Sequence, residues 1–264
     1  MLEEIKRSTA SRTAMKPRTV VATLVTRSLI LLLCSSGASH AQQHTWKVTS
    51  LEWEPYSSSS MNNGGNAIQR LRNILAQCNI RLQVEFYPWR RAKEIAGRSD
   101  YLGYFPAWPD GVRTDFVASE PVDYSGLAVM ALASTKVETT DLEQLFATHS
   151  VGLVNSYGYP AELRRLIETY PQNTYLSATS DQMLLKMLLA KRFELAITDP
   201  TVLQYLADRD GNGEIRIIKA LPELPLLIAM RNAPDTRQQI ALTQRLLQRR
   251  ARAEPIQQSD CVMD

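Results

Sequence analysis

One pattern constrains this chain more than any other. Strand-like and helix-like segments alternate in two successive series, and a strand and a helix are then left over. Trp46 to Trp53 has the composition of a first strand. Pro55, the run Ser57 to Ser60 and Gly64-Gly65 make a loop. Asn66 is placed to cap a helix whose apolar positions, Ile68, Leu71, Ile74, Leu75 and Cys78, fall at helical spacing. Leu82, Val84 and Phe86 alternate with Arg81, Gln83 and Glu85, the period of a half-buried strand. Pro88 opens a short helix to about Ala96, and Asp100 to Phe105 is a further strand. Such a series implies an open α/β sheet with right-handed crossovers.

The long apolar stretch Ser125 to Ala133 follows, and the alternation then restarts. A helix near Asp141 to Phe146 leads to a strand at Ser150 to Asn155 and a helix from Pro160 to Tyr170. Tyr175-Leu176 is a weak strand, Asp181 to Ala190 an apolar helix and Phe193 to Thr198 a buried strand. Thr201 to Ala207 is helical, and Ile215 to Ile218 and Leu226 to Met230 read as two strands. A helix carrying Ile240, Leu242, Leu246 and Leu247 closes the chain. The simplest use of the leftover strand and helix is to return them to the first unit. The expectation is an α/β protein of two lobes, residues 42–127 with 229–264 and residues 128–228. Each lobe is an open α/β sheet, and two hinge strands cross between them near residues 125–133 and 225–231. Such a pair of lobes forms a cleft that can close around a ligand.

The N-terminus reads as an export signal. A basic region begins at Met15-Lys16-Pro17-Arg18 and runs to Arg27, Ser28 to Cys34 is a short apolar core, and Ser39-His40-Ala41 supplies the small residues of a cleavage site before Gln42. Met15 is a second candidate for the translation start. Neither apolar piece approaches the ~20 residues a membrane span needs. Leu33 stands where a lipid-modification signal at Cys34 wants a small residue. Residues 1–41 hold six of the 30 Lys and Arg residues and two of the 27 Asp and Glu residues, which leaves a nearly neutral body. That balance offers no basic face for nucleic acid. The expected location is the periplasm, and the expected state a monomer.

Export permits oxidation of the two remaining cysteines, Cys78 and Cys261. Either they bond and pin the C-terminal tail to the first lobe, or Cys78 is buried and Cys261 free in a frayed tail. Asp208, Asp210, Asn212 and Gly213 imitate the first half of a calcium loop, but Lys219 occupies the position of its bidentate glutamate, which favours a glycine-rich turn. His44 and His149 have no companions at metal-ligand spacing, and there is no nucleophile elbow, phosphate loop or zinc motif. No metal, cofactor or catalytic group is expected.

Several segments, in order, carry a resemblance: Trp53-Glu54-Pro55-Tyr56-Ser57, Tyr87-Pro88-Trp89-Arg90-Arg91-Ala92, Arg113 ahead of Ser119-Glu120-Pro121-Val122, Ser150 to Pro160, and Phe193 to Pro200. From about Trp46 to Arg249 the chain resembles a divergent member of the periplasmic solute-binding proteins of family 3, which serve polar amino-acid ABC importers. The resemblance implies a periplasmic-binding-protein-like fold, an amino acid or related compound as ligand, and an ABC permease in the inner membrane as partner. It also implies that Arg113 holds the ligand carboxylate with its planar fork. Asp199, at the carboxyl end of an apolar strand, would take the ammonium; as a residue it reads equally as the cap of the following helix. Ser156 and Tyr157 precede a helix start whose free N–H groups suit a negative group. Tyr56, Trp53, Tyr104 and Trp108 are candidate aromatic walls, and Trp89 is assigned to the core. A binding-only sensor or orphan receptor would use the same cleft. A few members of this fold are dehydratases, for which Glu54 or Glu120 would be the acid.

Overall fold

The structure, a computed structural model, describes residues 43–211 and 214–263. The proposed signal segment, its cleavage site, Met15 and Cys34 lie outside the described residues, as do Asn212 and Gly213 of the calcium-like stretch. Among the described residues no helix is long and apolar enough to cross a membrane.

In the first lobe β1 (His44–Ser50) pairs in parallel with β2 (Ile80–Phe86) and β3 (Gly103–Ala107). Helix α1 (Asn66–Ala76) turns Ile68, Leu71, Ile74 and Leu75 into the core. Its cap is Gly65 rather than Asn66, which is already helical and makes no capping bond. Helix α2 (Trp89–Ile95) buries Trp89, Ala92 and Ile95. After the short β4 (Phe116–Ala118), β5 (Asp123–Leu132) leads into the second lobe. There α3 (Leu142–Thr148), β6 (Val151–Val154), α4 (Ala161–Thr169), β7 (Thr174–Ala178), α5 (Asp181–Leu189), β8 (Leu195–Thr198) and α6 (Pro200–Asp210) follow. Strand β6 lies between β7 and β8, parallel to both, and β8 pairs antiparallel with β5.

The chain then returns through one strand where the pattern suggested two. Strand β9 (Ile215–Arg231) is continuous over 17 residues. Its first part pairs antiparallel with β5, from Leu132↔Ile215 to Asp123↔Leu226. Its last part pairs with β3 and β4. Pro222 and Pro225 hid this continuity, because proline removes a ladder donor. Pro222 falls where the register shifts between Ser125 and Leu127, a bulge that needs no donor there. The two expected sheets therefore share β9 and form one hydrogen-bonded path, β2-β1-β3-β9-β5-β8-β6-β7.

Helix α7 (Arg237–Ala251) closes the first lobe against α1, and Gln244 Nε2 donates to the Ala118 carbonyl at 2.9 Å. Beyond it Cys261 is bonded to Cys78, with the Cα atoms 5.1 Å apart. The tail is also held by ion pairs from Arg249 to Asp260 at 3.2 Å and to Glu254 at 2.9 Å. Of the two cysteine readings, the bonded one is found.

Candidate functional site

The loops that face each other between the lobes leave the carboxyl ends of parallel strands. Those after β1 and β3 come from the first lobe, and those after β6, β7 and β8 from the second. This is where open α/β sheets gather ligand-facing groups, because strand ends and helix starts leave backbone groups unpaired there.

Aromatic rings fill the centre. Trp53 stacks on Tyr56 at 4.7 Å between centroids and meets the edge of Trp108 at 6.0 Å. Trp108 in turn meets Tyr157 at 5.4 Å and Tyr159 at 6.2 Å, so the cluster spans both lobes. Trp108 Nε1 donates to Ser125 Oγ at 2.8 Å, which fixes the indole. The cavity left among Trp53, Trp89, Trp108, Tyr157 and Gly158 has a volume of about 30 Å³, room for about two water molecules. Trp89 is thus a wall of this cavity as well as a core residue, a placement its helical spacing did not reveal. Tyr104 is not a wall. It is fully buried between Trp89 and Phe116, and its hydroxyl accepts from Arg113 N–H at 2.8 Å and donates to the Gly111 carbonyl at 3.0 Å. Its role is to hold the loop after β3.

Two buried acids stand on the second-lobe side. Asp199 is the cap of α6: Oδ1 accepts from the N–H groups of Thr201 at 2.7 Å and Val202 at 3.0 Å. Its Oδ2 is buried and forms no hydrogen bond among the described residues. Burial raises the carboxyl to about 6, against the pull of the Val202 N–H, the Tyr56 phenol beside it and the Thr201 N–H. Asp181 opens α5 and is also buried. It accepts from the hydroxyls of Tyr157 and Thr198, yet burial still raises its pKa. Burial, with Asp181 next, holds the Tyr157 phenol well above its ordinary range, so it remains a donor. In the sequence Asp181 is the first residue of an apolar helix and is not among the candidate site residues. The one signal was its place between a strand and an apolar helix, directly after a capping serine.

Arg113 lies elsewhere. It is exposed, its fork is closed on Asp115 at 2.9 and 2.8 Å, and it does not line the cavity. Arg113 and Asp199 sit on different lobes, but they do not face each other across the cavity. Ser156 meets the first lobe through its backbone: its carbonyl accepts from Lys93 Nζ at 3.0 Å. Burial first, then the charges of Arg113 and Arg90, lower the pKa of that lysine. Arg164 pairs with Asp110 across the same gap, and Arg209 with Glu54 at 3.7 Å. At Gly158 the backbones of the two lobes nearly touch, and a β-carbon there would stand 2.2 Å from Gly111 N. The lobes are therefore in a closed arrangement. Glu120 is on the outer surface, where its N–H donates to Gln244 on α7 at 3.3 Å. Among the described residues no group of three or more His, Cys, Asp or Glu side chains is placed to hold a metal ion.

No protein-family model matches the sequence, and no curated protein does. Solved structures do match. A histidine kinase sensor domain with similarity to periplasmic binding proteins aligns with a TM-score of 0.66 and 14% identity, covering 80% of this chain and 92% of that one. A periplasmic binding protein of an arginine transport system from Legionella pneumophila gives 0.61 and 15%, covering 80% and 95%. An ancestral amino acid-binding protein, a precursor of cyclohexadienyl dehydratase, gives 0.61 and 13%, covering 79% and 90%. Identities this low establish the fold, and function must be argued from the site. The chain has the two-lobed α/β fold of the periplasmic binding proteins.

Proposed function

We propose that this chain is a periplasmic solute-binding protein that captures a small polar molecule, an amino acid or a related compound, between its lobes. The observation that carries the reading is the cleft itself. Strand-end loops of both lobes meet there around a shared ring cluster, with cross-lobe contacts at Lys93, Arg164 and Arg209. A ligand held by both faces favours the closed arrangement by its differential affinity for it. The partner in this reading is an ABC permease, and the unit that meets it is a monomer. The reading is binding rather than catalysis. Of the acids the dehydratase alternative would use, Glu54 is paired with Arg209 and Glu120 faces outward. The buried acids serve neighbours: Asp181 the Tyr157 and Thr198 hydroxyls, and Asp199 the first N–H groups of α6.

A thermal-shift screen over amino acids, small amines and carboxylates tests this. A ligand of the native state at a hundredfold excess over Kd should add about 2.7 kcal/mol of stability. If none of these compounds stabilises the protein, the reading fails. A second reading, a sensor or orphan receptor, is favoured by the histidine kinase sensor domain among the structures that share the fold. Permease and ATPase genes beside this one would support import; their absence would favour the sensor.

A further inference from the structure

Resting on that reading, we propose that the cleft selects a cationic organic amine and does not require a carboxylate on its ligand. Two wider spaces adjoin the central cavity at its rim. One, of about 290 Å³, is lined by Trp53, Glu52, Glu54, Asp181 and Arg209 among others. The other, of about 340 Å³, runs over Trp89, Tyr87 and Tyr157 and shares Glu52 with the first. The central cavity has no charged lining. The charged side chains lining these three spaces are thus three acids and one arginine. That arginine is already engaged, by Asp210 at 2.8 Å and Glu54 at 3.7 Å.

The other cations near the rim are engaged too. Lys93 donates to the Ser156 carbonyl and lies over the Trp89 ring, Arg91 lies over the Tyr87 ring, and Arg113 grips Asp115 through Nε and one Nη. Of the acids, Glu54 shares that arginine, whereas Glu52 is met by the Ser58 and Ser59 hydroxyls and, among the described residues, has no cationic partner. Asp181 is held by neutral hydroxyls, of Tyr157 and Thr198. Asp199 has a buried oxygen with no hydrogen bond among the described residues, and it lies beside Tyr56, which stacks on Trp53. A buried carboxylate without a cationic partner is costly, and an entering ammonium would supply that partner. The faces of Trp53, Trp108 and Tyr157 would add cation–π attraction, which is strongest for tryptophan and grows on desolvation; the Trp89 ring already has the Lys93 ammonium over it at 5.4 Å. A carboxylate entering the same space would meet acids and ring faces of the wrong sign.

Titration calorimetry on the purified full chain with matched pairs tests this: arginine against agmatine, and phenylalanine against phenethylamine. Each pair differs by the carboxylate alone. The amine should bind at least as tightly as its amino acid in the pair that binds. Glu52→Gln, an exposed and conservative change, should weaken the amine about tenfold. Asp181→Asn should weaken it further, and Arg113→Ala should leave it unchanged. If an amino acid binds while its amine does not, or if Arg113→Ala abolishes binding, the inference is overturned and the solute-binding reading stands. Binding of dicarboxylates alone also overturns it. If no compound of any class binds, both readings fall together.

Discussion

The two faces of the cleft are built from different materials. The first lobe offers rings: Trp53, Tyr56, Trp89 and Trp108, with the Trp108 indole anchored to Ser125. The second lobe adds Tyr157 and the buried charge, Asp181 and Asp199, each at the start of a helix, whereas the first lobe's acids, Glu52 and Glu54, stand at the rim. The difference assigns the work. Rings give shape and area with few rotatable bonds, whereas a buried carboxylate gives a strong but costly preference for one sign of ligand. Closure brings the two together and removes water from between them, which strengthens the electrostatic half. The lobes also differ in how they are held. The first is crosslinked to the C-terminal tail by Cys78–Cys261, and the second relies on packing and caps.

The largest expected break in this comparison is removal of the crosslink. Cys78→Ser should cost about 2–5 kcal/mol of stability, read as a lower urea midpoint, while ligand affinity is retained. Equal loss of affinity and stability would show that the ring face depends on the bond. Next is the point where the faces meet. Gly158→Ala puts a β-carbon within 2.3 Å of the Asp110 carbonyl carbon and oxygen. The lobes should be held apart, with a larger radius of gyration in solution scattering and affinity lower by roughly tenfold, about 1.4 kcal/mol. Unchanged scattering and affinity would mean that closure does not pass through this contact.

The smallest effect is the subtlest test of the charged face. The Asp199 carboxyl is raised to about 6 and that of Asp181 is raised too, so folding favours their protonated forms. Their contribution to stability is complete below the ordinary carboxylate pKa of about 4 and is lost as pH rises through about 6. Glu85, held low first by the Tyr101 and Tyr87 hydroxyls, acts in the opposite sense, so the wild-type curve alone is ambiguous. Asp199→Asn keeps a good helix cap and removes one titration. Relative to wild type, its melting temperature should rise between about pH 4 and about pH 7. A constant offset would refute a buried, raised Asp199. Cation affinity in wild type should move the other way and improve as pH rises through about 6.

Much of the fold was legible because burial leaves a period in the sequence. Helix α1 and strand β2 announced themselves through Ile68, Leu71 and Leu75 and through Leu82 and Val84. Strand β9 did not, since two prolines interrupt its pattern while a bulge absorbs one of them. The site was less legible. Trp53, Trp108, Tyr56 and Tyr157 do meet between the lobes, but Trp89 and Tyr104 exchange expected roles. Which side of a buried ring faces a cavity depends on neighbours distant in sequence, and no local period records it. Arg113 carries the right chemistry, but Asp115, two residues on, has taken its fork.

The path of β9 also bears on how the chain is made. Among the described residues β4 pairs only with β9, and in the finished sheet both β3 and β5 have β9 as a neighbour. A nascent chain that stops short of residue 215 therefore leaves β4 without the partner it has among the described residues and exposes two further strand edges, one in each lobe, beyond those of β2 and β7. Such edges invite pairing with other chains, and contacts this distant in sequence form slowly. Neither lobe completes its sheet until synthesis has passed Arg231, so the two are committed to finishing together, after most of the polypeptide already exists. A chain cut between α6 and β9 should accumulate as aggregate rather than as one folded lobe.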